Sequence, residues 1–167
     1  MPRLWSCWTM ATRSRRRPDP LLRTAALAAL VLVAACTPPA GQGLPRERLD
    51  DLIGRSIGDP ATCVLLADRA TGRIVYRYGD RVTCDAALPA CDRPGTLTAA
   101  DTLRLIEGGP RMVSCPSSNP GRGVGWAAGP APGARGLNYA AVMDSSRALP
   151  GREIRVRLEG ALRDAGI

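Results

Sequence analysis

Four cysteines, Cys63, Cys84, Cys91 and Cys115, sit in the middle of a chain of 167 residues. No two of them are in a Cys-x-x-Cys spacing, and the chain has no histidine. The pattern therefore lacks the ligand set of a common zinc site and the motif of a dithiol oxidoreductase. No metal and no cofactor are expected. An even number of cysteines in an exported domain suits two disulfides, which three connectivities allow. The favoured pairing is Cys84–Cys91, closing a small loop, with Cys63–Cys115 joining distant segments. Each bridge contributes about 2–4 kcal/mol. The chain needs such cross-links, because it has no Phe and only 4% aromatic residues, so its core must be aliphatic and small.

Export is written in the first 35 residues. Arg13, Arg15, Arg16, Arg17 and Arg23 form a basic segment, and residues 24–35 form an apolar run. The run is too short to span a bilayer and has the length of a signal-peptide core. It has no polar face, unlike an amphipathic buried helix. Ser14-Arg15-Arg16-Arg17-Pro18 lacks the apolar residues expected straight after a twin-arginine signal, and Met10 is a second candidate start. The run ends at Val33-Ala34-Ala35-Cys36, which resembles the bacterial lipobox: an aliphatic residue, two small residues and a cysteine. Small residues admit the peptide to the peptidase, and the thiol is the nucleophile that takes the lipid. The resemblance implies a signal peptide over 1–35, a lipidated tether over 36–44 and one domain over 45–167. Thr37 is not the Asp that retains lipoproteins at the inner membrane. The implied location is the bacterial cell envelope, lipid-anchored at the outer membrane and facing the periplasm.

Removing the leader changes the charge argument. The whole chain carries +8, with every basic residue an Arg. Six arginines and one acid fall in residues 1–35, leaving 17 arginines against 14 acids, a net of +3. The high charge is mainly an export signal, and nucleic acid is not an expected partner. The absence of Lys and His also removes Schiff-base, imidazole and lysine-activated serine chemistry, which Arg cannot supply because it stays protonated.

Hydropathy patterning orders the folded part. Residues 45–57 read as a helix with Leu49, Leu52, Ile53 and Ile57 on one face. Residues 61–68 and 73–78 read as a hairpin around the turn Arg69-Ala70-Thr71-Gly72, with Ile74, Tyr76 and Tyr78 on one side. Residues 80–95 read as a cysteine-bearing loop. Thr98 and Asp101 form a capping box for a short helix ended by Gly108-Gly109. Residues 112–115 suit a brief strand. Residues 123–129 and 137–143 suit a second hairpin, with Val124 and Trp126 on one face, and a helix follows Pro150. The expected fold is α+β, a small antiparallel β-sheet of four to five strands with N- and C-terminal helices packed on it.

The same segments resemble the penicillin-recognising family, the serine β-lactamases (class D especially) and penicillin-binding transpeptidases. Their hairpin carries Leu-x-Asp-x-x-Thr-Gly ahead of a Tyr, similar to Leu66 to Tyr76 here. Their Gly-Trp-x-x-Gly strand, second strand and closing helix are similar to Val124 to Gly129, Leu137 to Met143 and Arg152 to Ile167. The catalytic motifs differ. Where the family has Ser-x-x-Lys this chain has Ala100-Asp101-Thr102-Leu103-Arg104. The Lys-Thr-Gly strand is replaced by Pro116-Ser117-Ser118-Asn119-Pro120-Gly121, in which Ser117-Ser118-Asn119 fits only the family's Ser-x-Asn. The resemblance implies a reduced relative with no catalytic residues.

The remaining candidates are few. Asp101 and Glu107, six apart on a helix, face different sides and make a poor acid–base pair. Asp50 and Asp51 suit a helix start. Trp126, Tyr76, Tyr78 and Tyr139 are expected to pack on the sheet, with an exposed subset available for stacking on sugar or peptide ligands. The expected function is non-catalytic binding or scaffolding, with the membrane engaged through the lipid and peptidoglycan or an envelope protein as partner. Two alternatives are a serine acyl-enzyme using Ser114, Ser117 or Ser118, and a decayed remnant without activity.

Overall fold

The amphipathic segment after Pro45 forms helix α1 (Arg46–Ile57), which buries Leu49, Ile53 and Ile57 and leaves its arginines outside. This computed structural model describes residues 43–133 and 135–167. Residues 1–42, which include the expected signal peptide, Cys36 and most of the expected tether, lie outside the described residues. After α1 come β1 (Thr62–Asp68) and β2 (Ile74–Tyr78), the first hairpin. A short helix α2 (Arg81–Asp85) and a two-stranded ribbon, β3 (Leu88–Pro89) with β4 (Thr96–Leu97), follow. Helix α3 (Ala99–Arg104) runs into a 3₁₀ turn, Leu105–Gly108. The chain closes with β5 (Arg111–Pro116), β6 (Gly123–Pro130), β7 (Leu137–Ser145) and α4 (Gly151–Asp164).

The main sheet is antiparallel in every pairing, in the order β2-β1-β7-β6-β5. The two hairpins meet at its centre, where β1 pairs with β7 over the whole length of β1. The fold is thus α+β with a five-stranded sheet. Alternation along the strands sends residues to two faces. Val64, Leu66, Tyr76, Ala127, Tyr139 and Ala141 face α1 and α4 in one core cluster. Cys63, Leu65, Val124, Trp126 and Val142 face the other way, toward α2, the ribbon and α3. Each fully buried Leu or Ile contributes about 1.5–3 kcal/mol. Arg157 of α4 donates to the Ser56 carbonyl near the end of α1 (3.4 Å), so the two terminal helices pack side by side.

The stretch expected to be loop, 80–95, is instead a second layer, and the cysteine pairing explains it. The bridges are Cys63–Cys84 and Cys91–Cys115, not Cys84–Cys91 and Cys63–Cys115. Cys63 lies on β1 and Cys115 on β5, three strands away. At about 4.8 Å per strand step they are about 14 Å apart, beyond any disulfide. The first bridge pins α2 to β1 across a sequence separation of 21, and the second pins the ribbon loop to β5 across 24. Arg111 reinforces the second bridge. Its buried guanidinium donates to both Asp92 carboxylate oxygens and to the Ala90 carbonyl, each at 2.5 Å. Burial raises the Asp92 pKa, but the hydrogen bonds from Arg111 and Arg93 outweigh it and the net displacement is downward.

The capping box expected at Thr98 is present. Thr98 Oγ1 accepts from the Asp101 N–H at 3.1 Å, and Asp101 Oδ2 accepts from the Thr98 N–H at 3.0 Å. Hydrogen bonds from the Thr98 backbone and hydroxyl, and then Arg104, hold the Asp101 carboxyl below its usual range. A depressed folded-state pKa contributes stability above the unfolded pKa, near 3.9, and loses it as the pH falls through the folded value. Asp101→Ala should cost about 1 kcal/mol at neutral pH. The gap from wild type should close below about pH 4. Urea titrations at pH 7 and pH 3 check this, and an undiminished gap at pH 3 would show that the carboxylate charge is irrelevant.

Candidate functional site

Pairing along the first hairpin is irregular. Leu66 pairs with Tyr76 but Ala67 pairs with Ile74, so Val75 is an extra residue, a β-bulge. A bulge re-aims the side chain beside it. Ile74 therefore shares the face of Ala67, opposite Tyr76, and the expectation that Ile74, Tyr76 and Tyr78 line one side is corrected. Ile74 is left 40% exposed because it forms the wall of a groove instead of joining the core.

The groove runs along the end of the sheet and holds about 920 Å³. Ala67 and Ile74 form one side. Leu103 and Ile106, from α3 and the 3₁₀ turn, form another, and Pro110 and Pro130 close it. The charged residues of its lining are Asp68, Arg69, Arg104 and Glu107. Asp68 Oδ1 accepts from the N–H groups of Ala70 and Thr71, both at 2.9 Å, which shapes the β1–β2 turn. Arg69 ties that turn to β7 by donating to Asn138 Oδ1 (3.2 Å) and the Leu137 carbonyl (3.1 Å). Arg104 donates to Asp101 at 2.5 Å. A trough of mixed apolar and polar lining, at the upper end of ordinary ligand-site volumes, suits a small amphiphile or a short peptide.

The aromatic residues do not line it. Trp126 and Tyr139 are fully buried and Tyr76 nearly so, which corrects their candidacy as stacking surfaces. Their polar tips are satisfied inside: Trp126 Nε1 donates to the Pro89 carbonyl at 2.8 Å, Tyr139 to Glu159 at 3.0 Å and Tyr76 to Asp50 at 2.7 Å. Burial first, then the neighbouring carboxylate, pushes both phenol pKa values well up, so neither phenol ionises. Tyr78 is half-buried against the helix-side core and borders a shallow depression with Gly54, Gly58 and Asp59. Asp50 thus serves Tyr76, and Asp51 pairs with Arg55 at 2.7 Å, so both acids have side-chain partners beyond the helix start.

No family model, curated protein or solved structure matches this chain. The residues themselves must carry the functional reading. Among the described residues there is no cluster of Cys, Asp and Glu fit to hold a metal ion. Ser114 Oγ accepts from the Gly151 N–H at 2.8 Å, which ties this exposed edge-strand serine to the start of α4. Ser117 Oγ accepts from the Asn119 N–H at 3.2 Å and shapes its own turn. Sequence reasoning missed the groove because its decisive feature, the bulge at Val75, carries no residue signature.

The two disulfides place the folded chain in a non-cytoplasmic, oxidising compartment. No described helix is long and apolar enough to cross a membrane.

Proposed function

We propose that this is a lipid-anchored protein of the bacterial cell envelope whose domain binds a partner and catalyses no reaction of its own. The observation that carries the reading is the pairing of Val33-Ala34-Ala35-Cys36 with a domain held by two disulfides. Lipidation at Cys36 and the two disulfides both put the domain outside the cytoplasm. The groove between Ile74 and Leu103 is the proposed partner site, and a peptidoglycan peptide or an extended segment of an envelope protein is the class of partner its volume suits. Outer-membrane delivery follows from Thr37.

Kinship with the penicillin-recognising family belongs to the same proposal. It is supported by the way the two resembling portions combine: the helix and hairpin at one end of the domain, and the strand pair and helix at the other, share one sheet and one helical layer. The serine-enzyme alternative is weakened by the partners of Ser114 and Ser117, both backbone N–H groups rather than a base.

Two measurements test the reading. Cells given labelled palmitate should label the wild-type protein and not Cys36→Ala. Label on the variant removes the anchor. The chain from Thr37 onward, incubated with a penicillin, should keep its intact mass and should sediment with purified sacculi or cross-link to an envelope protein. A penicillin-sized adduct would overturn the non-catalytic half of the proposal.

A further inference from the structure

Ion pairing divides the arginines unevenly. Nine have a carboxylate within 4.0 Å: Arg55, Arg77, Arg93, Arg104, Arg111, Arg122, Arg147, Arg155 and Arg157. Among the described residues the other eight have none, and six of these eight gather at one end of the domain. Arg46 and Arg48 are in the first turn of α1, and Arg69 and Arg73 are in the β1–β2 turn. Arg135 is in the β6–β7 loop, and Arg163 is in the last turn of α4.

Hydrogen bonds hold these segments together. Arg46 donates to the Val75 carbonyl at 2.8 Å, the Arg69 N–H to the Gly136 carbonyl at 2.9 Å, and Arg135 to the Gly166 carbonyl at 3.1 Å. All three acceptors are neutral, so the positive charge is not cancelled. Beneath them Leu44, Ala131, Leu137, Ala165 and Ile167 form one end of the helix-side core. Among the described residues the acids near this end are Glu47, Asp50, Asp68, Glu107 and Asp164. Asp50 accepts from Tyr76, Asp68 is engaged in its turn, and none is within 4.0 Å of these six arginines. At the far end Arg122 is matched by Asp144 and Arg147 by Asp59, while Arg152, in the first turn of α4, has no carboxylate within 4.0 Å among the described residues.

The cationic end is also where the described chain begins, at Gly43, seven residues beyond Cys36. Fully extended, seven residues reach about 25 Å. A tether that short holds this end of the domain against whatever surface the lipid enters. Charge acts across water over only about 8 Å at physiological salt, so the arginines matter once they touch that surface. A guanidinium matches a phosphate oxygen pair with two parallel hydrogen bonds.

We infer that the face formed by the first turn of α1, the β1–β2 turn, the β6–β7 loop and the end of α4 docks on the anionic phospholipid headgroups of the membrane that anchors the chain. The inference rests on the proposed lipid anchor, but the face binds by charge alone. With that face on the membrane, the domain presents its far end, where Arg122 and Arg147 are ion-paired, to the periplasm. The groove then opens beside the bilayer.

The test uses residues 37–167, which contain every described element and the whole described core, without lipid. The chain is sedimented with vesicles of phosphatidylglycerol and phosphatidylethanolamine, and with vesicles of phosphatidylcholine alone. Binding should be confined to the anionic vesicles and should be abolished in 0.5 M salt, as for any phosphate-directed contact (an expected loss of about 10-fold or more). The double variant Arg48→Glu with Arg73→Glu removes two arginines whose side chains have no hydrogen bond among the described residues, and should lose anionic binding about 10-fold or more. Arg81→Glu with Arg152→Glu, outside this face, should bind as the wild type does. Equal binding to both vesicles, no binding to either, or an equal loss in the control variant would each overturn the inference. Palmitate labelling at Cys36 is read separately, so a failed anchor and a failed docking face give different results.

Discussion

Gly151→Ala should unfold this domain more readily than almost any other one-carbon change, with a loss of about 3 kcal/mol or more. Gly151 opens α4, and a Cβ built on it would stand 2.2 Å from the Trp126 carbonyl oxygen and 2.7 Å from both Val113 N and Val113 O. All three obstacles are backbone, so no side chain can swing aside. The helix would have to lift off β5 and β6, breaking the bond from the Gly151 N–H to Ser114. Gly125, on β6 directly below, is equally confined, with its Cβ position 2.1 Å from the Leu149 carbonyl oxygen. The contrast is Gly160, in the same helix with nothing within 4 Å of its Cβ position. Gly160→Ala should stabilise by about 0.5–1 kcal/mol through helix propensity alone. Thermal melts of the two variants should move in opposite directions, with Gly151→Ala down by about 10 °C. A melt for Gly151→Ala within a degree of the wild type would mean that α4 is not seated against the sheet as described.

The two disulfides should separate under mild reduction. Cys63 and Cys84 are 0% and 1% exposed and lie between β1 and α2. Cys91 and Cys115 are only half-buried, at the edge strand. Exchange needs a thiolate to reach a sulfur, so access decides the order. Limited treatment with a dithiol, then alkylation and peptide mapping, should label Cys91 and Cys115 while Cys63 and Cys84 remain joined. Simultaneous labelling of all four would show that opening one bridge unfolds the domain. Replacing Cys63 and Cys84 together by Ala should cost about 3–5 kcal/mol, since the change removes a cross-link and leaves a cavity in the core. Replacing Cys91 and Cys115 should cost less. The Arg111–Asp92 clamp and the Trp126–Pro89 hydrogen bond still hold the ribbon. Cys91 also sits at φ 69°, a left-handed conformation that disfavours any side chain by about 1–2 kcal/mol.

The parts of this fold that read from the sequence are those set by local periodicity. The faces of α1 and α4, the two hairpins and the Thr98–Asp101 box follow from apolar spacing and capping chemistry within a few residues. The disulfide pairing did not, because it depends on strand order. Once β7 and β6 intervene between β1 and β5, Cys63 is closed to Cys115, but that insertion is a long-range fact. The groove was hidden for the opposite reason. One extra residue, Val75, turns Ile74 from core to wall, and a bulge at Val leaves no compositional trace. The aromatic candidates failed through economy: with no Phe in the chain, Trp126 and Tyr139 are the largest fully buried side chains, and the core takes them first.

Pairing β1 with β7 has a consequence for how this chain is made. The middle of the sheet joins residues near 65 to residues near 140, so it cannot exist until almost the whole sequence is available. As the chain is synthesised from its N-terminus, the first hairpin waits with one long edge unmet. Contacts of such sequence separation also slow the final collapse. Cys63 and Cys84 are both present early in that interval. A bridge formed then restricts what the waiting segment can pair with, and a half-emerged sheet edge is the kind of surface on which chains aggregate. The buried disulfide would in that way guard the assembly as well as strengthen its product.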